Sequence, residues 1–413
     1  MNSKKKFFLI IILGMLSAIG PFSIDMYLPA FSNIAADLHT DVAQVSLSLS
    51  SFFIGICFGQ FLYGPMLDRF GRKKPLYIGL SIYLIASLAC ALTISVNGLI
   101  ALRFLQALGG CAGMVAARAM VRDLFPVEEN AKVFSKLMLV IGVSPIIAPT
   151  LGGYLTAAIG WHYVFVFLAL MGALILVAVH FYLPESRKPD PSFSLKPAPI
   201  LKGYLAVLKV PQFYTYSFTG AMAAAGLYAY IAGSPSVFME IFKVSEKQYG
   251  WIFATVALCL IISSQVNSLL LKKYKSQQII RIALLFQSLT GLALFTGSAF
   301  GWLGIAGTII CCCMFLSCQG FTFPNSSALS MAPFSKNAGS ASALMGGIQM
   351  GLGAGTSALV SILSNHTALP MTGVMVGCSI SSLIILTIGR GVIKYKASIT
   401  ETEEDALEMI STS

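Results

Sequence analysis

Asp25 and Arg103 are the residues whose chemistry stands out, because each sits inside a long apolar stretch. An ionised side chain at the centre of a lipid bilayer costs about 2.5–3.5 kcal/mol on insertion scales, so its presence implies a use. Dehydration disfavours a carboxylate's charge, and a neighbouring guanidinium favours it. An acid and a base at one depth therefore suggest a proton switch, in which Asp25 takes up the proton and Arg103 tunes its affinity. A static ion pair packing two helices is the alternative. A cavity for an organic ligand also needs aromatic, small and amide side chains. Tyr27, Gln106, Tyr228, Tyr230, Gln265, Gln287, Gln319 and Gln349 are candidates for its lining. For each of them, helix packing or an interfacial anchor is an equal use.

The elements that would hold these groups follow from composition. Of 413 residues, 56% are hydrophobic and 10% charged, against about 25% charged in soluble domains. Lipid is the solvent that suits such a chain. Roughly 20 apolar residues cross the hydrocarbon core as a helix. Stretches of that kind number twelve: 7–31, 42–66, 75–95, 98–121, 132–158, 161–183, 212–234, 248–271, 278–298, 302–324, 337–364 and 369–393. Asp25 then lies late in the first span and Arg103 early in the fourth, both in the outer half of the membrane. Lys4–Lys6 ahead of the first span resemble a secretory signal, but the apolar run continues through Asp25 and Tyr27 and reads as a span.

The net charge of +11 is placed for a membrane rather than for nucleic acid. Basic residues crowd alternate loops: Lys4–Lys6; Arg69, Arg72, Lys73 and Lys74; Arg122 and Lys132; Arg187, Lys188, Lys196, Lys202 and Lys209; Lys272, Lys273, Lys275 and Arg281; Lys336; Lys394 and Lys396. Only Lys243 and Lys247 break the pattern. This positive-inside distribution predicts cytoplasmic termini and an even number of spans. The nine cysteines all fall within spans, and Cys311, Cys312 and Cys313 point to different helix faces. They read as packing residues, with no disulfide framework. His39, His162, His180 and His366 lack metal-ligand spacing. Neither a metal nor a cofactor is expected.

A proline- and lysine-rich stretch at 184–211 divides the chain six spans from six. The expected organisation is an N-terminal six-helix bundle over 1–183, a cytoplasmic linker over 184–211, a C-terminal six-helix bundle over 212–393 and a cytoplasmic tail over 394–413. The tail carries Glu401, Glu403, Glu404, Asp405 and Glu408 and reads as a solvated, frayed end. The halves echo one another: basic turns follow both the second span (Asp68 to Lys74) and the eighth (Lys272 to Lys275). Parallel halves with the substrate between them build one large class of transporters.

The segment from Gly64 to Lys74, Gly-Pro-Met-Leu-Asp-Arg-Phe-Gly-Arg-Lys-Lys, resembles the signature of the major facilitator superfamily. The resemblance implies a conformational latch made by Gly64, Asp68, Arg69, Gly71, Arg72 and Asp123. Gly64 would permit close helix approach, and the charges would gather against the start of span eleven near Asn337-Ala338-Gly339 to hold an outward-open state. Ser23 to Ala30, Arg103 to Gln106, Met120 to Asp123 and Trp161 to Phe165 narrow the likeness. With Ser144, Pro145, Pro149, Gly152 and Gly153 they resemble the bicyclomycin-resistance (Bcr/CflA) family of drug/proton antiporters, across essentially the whole chain. Gly142, Pro145, Pro149, Gly152 and Gly153 resemble the antiporter kink that seals one half against the other; Ala148-Pro149 replaces the family's Gly-Pro. Some related antiporters carry a second acid about two turns before the first-span aspartate, where this chain has Leu16-Ser17-Ala18.

The expected fold is therefore all-α, twelve transmembrane helices in two six-helix bundles, in the inner membrane. The expected function is proton-coupled efflux of small neutral or zwitterionic drugs, bicyclomycin-, chloramphenicol- or sulfonamide-like, by a monomer. Its partners are protons, the drug and the lipid bilayer, not nucleic acid. Export of an endogenous metabolite, such as an amino acid or sugar derivative, uses the same machinery and stays open. An integral-membrane enzyme would need clustered acids, histidines or a metal motif at a membrane edge, and none is visible. A channel fits a lone buried acid and kinked helices less well than alternating access does.

Overall fold

A computed structural model describes the backbone of residues 3–190, 197–334 and 338–411. Pro191, Lys196, Lys336 and Asn337 lie outside the described residues. The α-helices are α1 (Ser3–Asp25), α2 (Phe31–Asp37), α3 (Val42–Phe70), α4 (Lys73–Ala91), α5 (Val96–Leu124), α6 (Val127–Ile159), α7 (His162–Tyr182), α8 (Pro197–Leu208), α9 (Pro211–Pro235), α10 (Glu246–Leu270), α11 (Ser276–Ala299), α12 (Ile305–Met331), α13 (Ala338–Ile362) and α14 (Leu369–Ser411). Side-chain caps set several starts: the Asp41 carboxylate accepts from Gln44 N–H at 2.7 Å before α3, and Ser95 Oγ accepts from Gly98 N–H at 3.1 Å before α5.

Among the described residues, eleven segments are long and apolar enough to cross a membrane. The twelfth spanning helix is α9. It carries Thr215, Ser217 and Thr219, and all three are buried because α12, α13 and α14 pack around it. Large apolar side chains such as Phe58, Ile85, Leu170, Leu289 and Ile388 are exposed on the outside of the helices, as a lipid-facing surface requires. Helices α1 and α3–α7 form one bundle and α9–α14 the other. They meet along two seams, α3 against α13 and α6 against α10.

Three elements differ from the sequence expectation. The first span is broken: α1 stops at Asp25, a 3₁₀ turn covers Leu28–Ala30, and α2 follows. Pro29 lacks the N–H that an uninterrupted helix would use. The linker contains α8, with Pro197 and Pro199 in its first turn, where a missing N–H costs nothing. The backbone of α14 continues through the tail to Ser411 instead of fraying after 393.

Candidate functional site

Arg103, two turns into α5, is completely buried. Its guanidinium lies 4.1 Å from the Tyr27 ring centre and 4.2 Å from that of Phe52, with Phe165 at 5.8 Å. One terminal nitrogen donates to Gln106 Oε1, and the other donates to the Ser23 carbonyl at 2.8 Å. Gln106 Nε2 donates onward to Ser87 Oγ at 2.8 Å, and Ser23 Oγ shares a 2.8 Å hydrogen bond with Tyr83 OH. Tyr27 OH bonds Ser48 Oγ at 3.2 Å. These contacts tie α1, α3, α4 and α5 together through one planar cation. Cation–π contacts of this kind are worth up to about 2 kcal/mol when desolvated.

The expected ion pair between Arg103 and Asp25 is absent. Asp25 is buried and makes no hydrogen bond or ion pair among the described residues. Ser23, whose carbonyl takes the arginine, is two residues earlier, about 200° round the helix. Asp25 is instead within electrostatic reach of Tyr228, Tyr230 and Tyr249, all of the other bundle. Tyr228 packs edge-on against Phe53 of α3 at 4.6 Å and accepts from Gln349 Nε2 at 3.4 Å. Tyr230 stacks on Phe253 at 5.7 Å, and Tyr249 OH shares a 2.8 Å bond with Ser234 Oγ. Asp25 is thus a buried carboxyl next to the junction of the two bundles.

That junction is closed by backbone contact at the end remote from the basic loops. A Cβ on Gly153 would stand 2.6 Å from the Glu246 carbonyl oxygen, and one on Gly250 2.9 Å from that of Pro149. One on Gly152 would meet the Met26 carbonyl, directly after Asp25. The α3–α13 seam is held by Ser50 Oγ donating to Ser357 Oγ at 2.8 Å and Cys57 Sγ to the Gly347 carbonyl at 3.3 Å. Pro145 and Pro149 lie within α6 without ending it. Gly142 is packed only loosely against the seam: a Cβ there would touch Ile261 of α10 at 3.9 Å.

At the basic end the signature charges assemble. Arg72 donates to Asp68 at 2.9 Å and to Asp123 at 2.7 Å, and Arg187 donates to Asp68 at 3.1 Å. Burial works against the Arg72 charge, but the hydrogen bonds to Asp123 and Asp68 outweigh it and hold the guanidinium above its ordinary pKa. Glu185, just past α7, accepts from the backbone N–H of Arg72 at 2.7 Å and of Lys73 at 3.1 Å, closing the N-terminus of α4. Gly71 makes this turn at φ +81°, a left-handed conformation that suits glycine. Ser186 Oγ donates to Asp123 at 2.9 Å. Asp68, Arg72 and Asp123 do not press on the start of α13. They share with Gly339 the wall of an open cavity of about 720 Å³. Gly64 lines the same space with nothing within 4 Å of a Cβ, so it provides no close approach here. Arg69 is on the last turn of α3, its guanidinium 5.9 Å from the Phe70 ring.

The proposed ligand-lining residues are scattered. Tyr27 and Gln106 brace Arg103 inside one bundle. Tyr228, Tyr230 and Gln349 lie on α9 and α13 of the other. Gln319 and Gln287 are buried, with Gln319 Oε1 and both amide atoms of Gln287 unpartnered among the described residues. Gln265 is exposed. None of them lines the large cavity. Glu185, Ser186 and Arg118 are not among the residues the sequence singles out, and Arg187 enters there only as a loop cation; Glu185, Ser186 and Arg187 form a contiguous acid–hydroxyl–base run after a Leu-Pro helix stop, a visible signal. Among the described residues no three His, Cys, Asp or Glu side chains form a metal cluster.

Comparison with known proteins agrees with this architecture. The pattern of the Major Facilitator Superfamily matches residues 11–358. A bicyclomycin resistance protein homologue of Haemophilus influenzae is 33% identical over 93% of this chain and 96% of its own. Multidrug resistance protein D of Escherichia coli K12 is 27% identical over 90% of this chain and 92% of its own. A bacterial homologue of the human lysosomal transporter Spinster, in an inward-facing, unoccupied conformation, superposes with a TM-score of 0.72 at 15% identity, covering 94% of this chain and 96% of that one. At that identity the likeness shows the fold alone, while the sequence matches extend over nearly the full length. The chain belongs to the Major Facilitator Superfamily of membrane transporters, in its bicyclomycin-resistance branch.

Proposed function

We propose that this transporter exports small neutral or zwitterionic drugs in exchange for protons, by alternating access. The supporting observation is Asp25: a buried carboxyl without a hydrogen bond among the described residues, next to the seam between the bundles. An ionised carboxylate taken out of water without a partner is costly, whereas the neutral acid is tolerated. Loss of a proton from Asp25 therefore favours parting the seam and letting water in, and protonation favours closure. The positive-inside pattern orients the basic end, with its cavity, to the cytoplasm. Both halves of the path come from one chain, so a monomer in the inner membrane suffices, and no bond-making chemistry is required. The relatives named for bicyclomycin and multidrug resistance support a drug as cargo. Ser17, which bonds the Leu13 carbonyl at 2.8 Å, stands in the region where an acid would attract lipophilic cations.

Drug binding offers a direct test. In weakly buffered detergent solution, adding chloramphenicol to the purified protein releases protons, and Asp25→Asn abolishes the release while eluting as a folded monomer. Undiminished release from Asp25→Asn refutes the assignment.

A further inference from the structure

Among the described residues, six charged side chains line the cavity at the basic end: Asp68, Arg72, Arg118, Arg122, Asp123 and Arg187. Four arginines against two aspartates leave a net charge of +2 on these described residues. Arg72 and Arg187 are taken up by the aspartates. Arg118 and Arg122 are not: neither makes a hydrogen bond or ion pair among the described residues. They stand one turn apart on α5 and repel each other. Arg118 is half-buried in the membrane-spanning part of that helix. An uncompensated guanidinium at such a position is expensive. Beside it the wall is apolar and aromatic, with Pro65, Val115, Ile200 and Tyr204.

We propose that this cavity is an anion site, in which Arg118, assisted by Arg122, binds the carboxylate, sulfonate or phosphate of an amphiphile whose apolar body lies along Pro65, Val115 and Tyr204. Arginine suits the role because its fork donates two parallel hydrogen bonds to such a group. If the export reading above holds, on which the link to cargo rests, the acid group belongs to a zwitterionic or acidic drug entering from the cytoplasm. A phospholipid headgroup supplies the same chemistry.

The test uses two fluorescent probes alike except in charge: dansylglycine, a carboxylate, and dansylglycinamide, its neutral amide. Each is titrated into the full-length protein in phosphatidylcholine nanodiscs, with empty nanodiscs as the blank. Dansylglycine is expected to bind about tenfold more tightly than the amide, as one charge-assisted contact gives. Arg118→Gln removes that preference and Arg118→Lys keeps part of it. Should Arg118→Gln not fold, Arg122→Gln on the exposed end of the helix carries the test, and the preference must fall there too. Phosphatidylglycerol in the nanodisc separates the sources. A preference that survives identifies a free solute as ligand, and one that disappears identifies the headgroup; either supports the anion site. Equal binding of the two probes by the unaltered protein overturns it, as does a full preference in the glutamine variant. Binding is read at equilibrium without a gradient, so a protein that keeps the preference but exchanges no protons refutes antiport alone.

Discussion

Gly153→Ala isolates the seal between the bundles. The added Cβ would stand 2.6 Å from the Glu246 carbonyl oxygen and 3.1 Å from its carbonyl carbon. Ordinary contact is about 3.5 Å, so α6 and the start of α10 must part by about 1 Å. Both sides are backbone, and no rotamer change relieves the clash. Overpacking of this kind costs about 1–3 kcal/mol. Alanine gains about 1 kcal/mol over glycine in a helix, but that gain applies whether the seam is closed or open. Only the closed state is penalised, and the equilibrium shifts about 5–150-fold towards opening. Hydrogen–deuterium exchange reads the shift: amides of residues 26–28, 30–31 and 246–250 exchange faster by that factor. Gly142→Ala is the control from the same helix, because its Cβ meets only Ile261 at 3.9 Å. Unchanged exchange in Gly153→Ala, or an equal change in Gly142→Ala, refutes the idea that close backbone contact at Gly153 keeps this end shut.

Other outcomes follow from the same geometry. Arg103→Lys keeps the charge but cannot both bond Gln106 and the Ser23 carbonyl and stack between Tyr27 and Phe52; it loses about 2–4 kcal/mol of stability. A thermal midpoint equal to that of the unaltered protein contradicts this. Glu185→Ala frees the N–H groups of Arg72 and Lys73 and costs about 1 kcal/mol, as loss of a helix cap does. Amide exchange at 72–74 rises, and Glu185→Gln restores part of the protection; unchanged exchange in the alanine variant rules out the capping role.

The spans were legible because lipid leaves a one-dimensional record: length and apolarity are enough to count helices. What that record lacks is rotation about each helix axis. Asp25 and Arg103 were placed at one depth, yet the arginine reaches the Ser23 carbonyl and the carboxyl is directed elsewhere. The signature charges were legible as a set, since Asp68, Arg72 and Asp123 do come together. Their distance from α13 was not, because it depends on which end of the molecule is open. Gly64 illustrates this: small enough for close packing, it faces open space. Helix α8 was hidden by its own prolines, which mark loops in general but are harmless in a first turn. Glu185 was overlooked because loop charges were weighed for their cations alone.

In the proposed cycle a pH gradient drives drug movement through Asp25. Proteoliposomes with an imposed gradient test it against a panel of neutral and cationic drugs. Chloramphenicol accumulation is expected to need the gradient, stop with a proton ionophore, be lost in Asp25→Asn and not be shared by a permanently cationic dye. Transport indifferent to the gradient, or undiminished in Asp25→Asn, contradicts it.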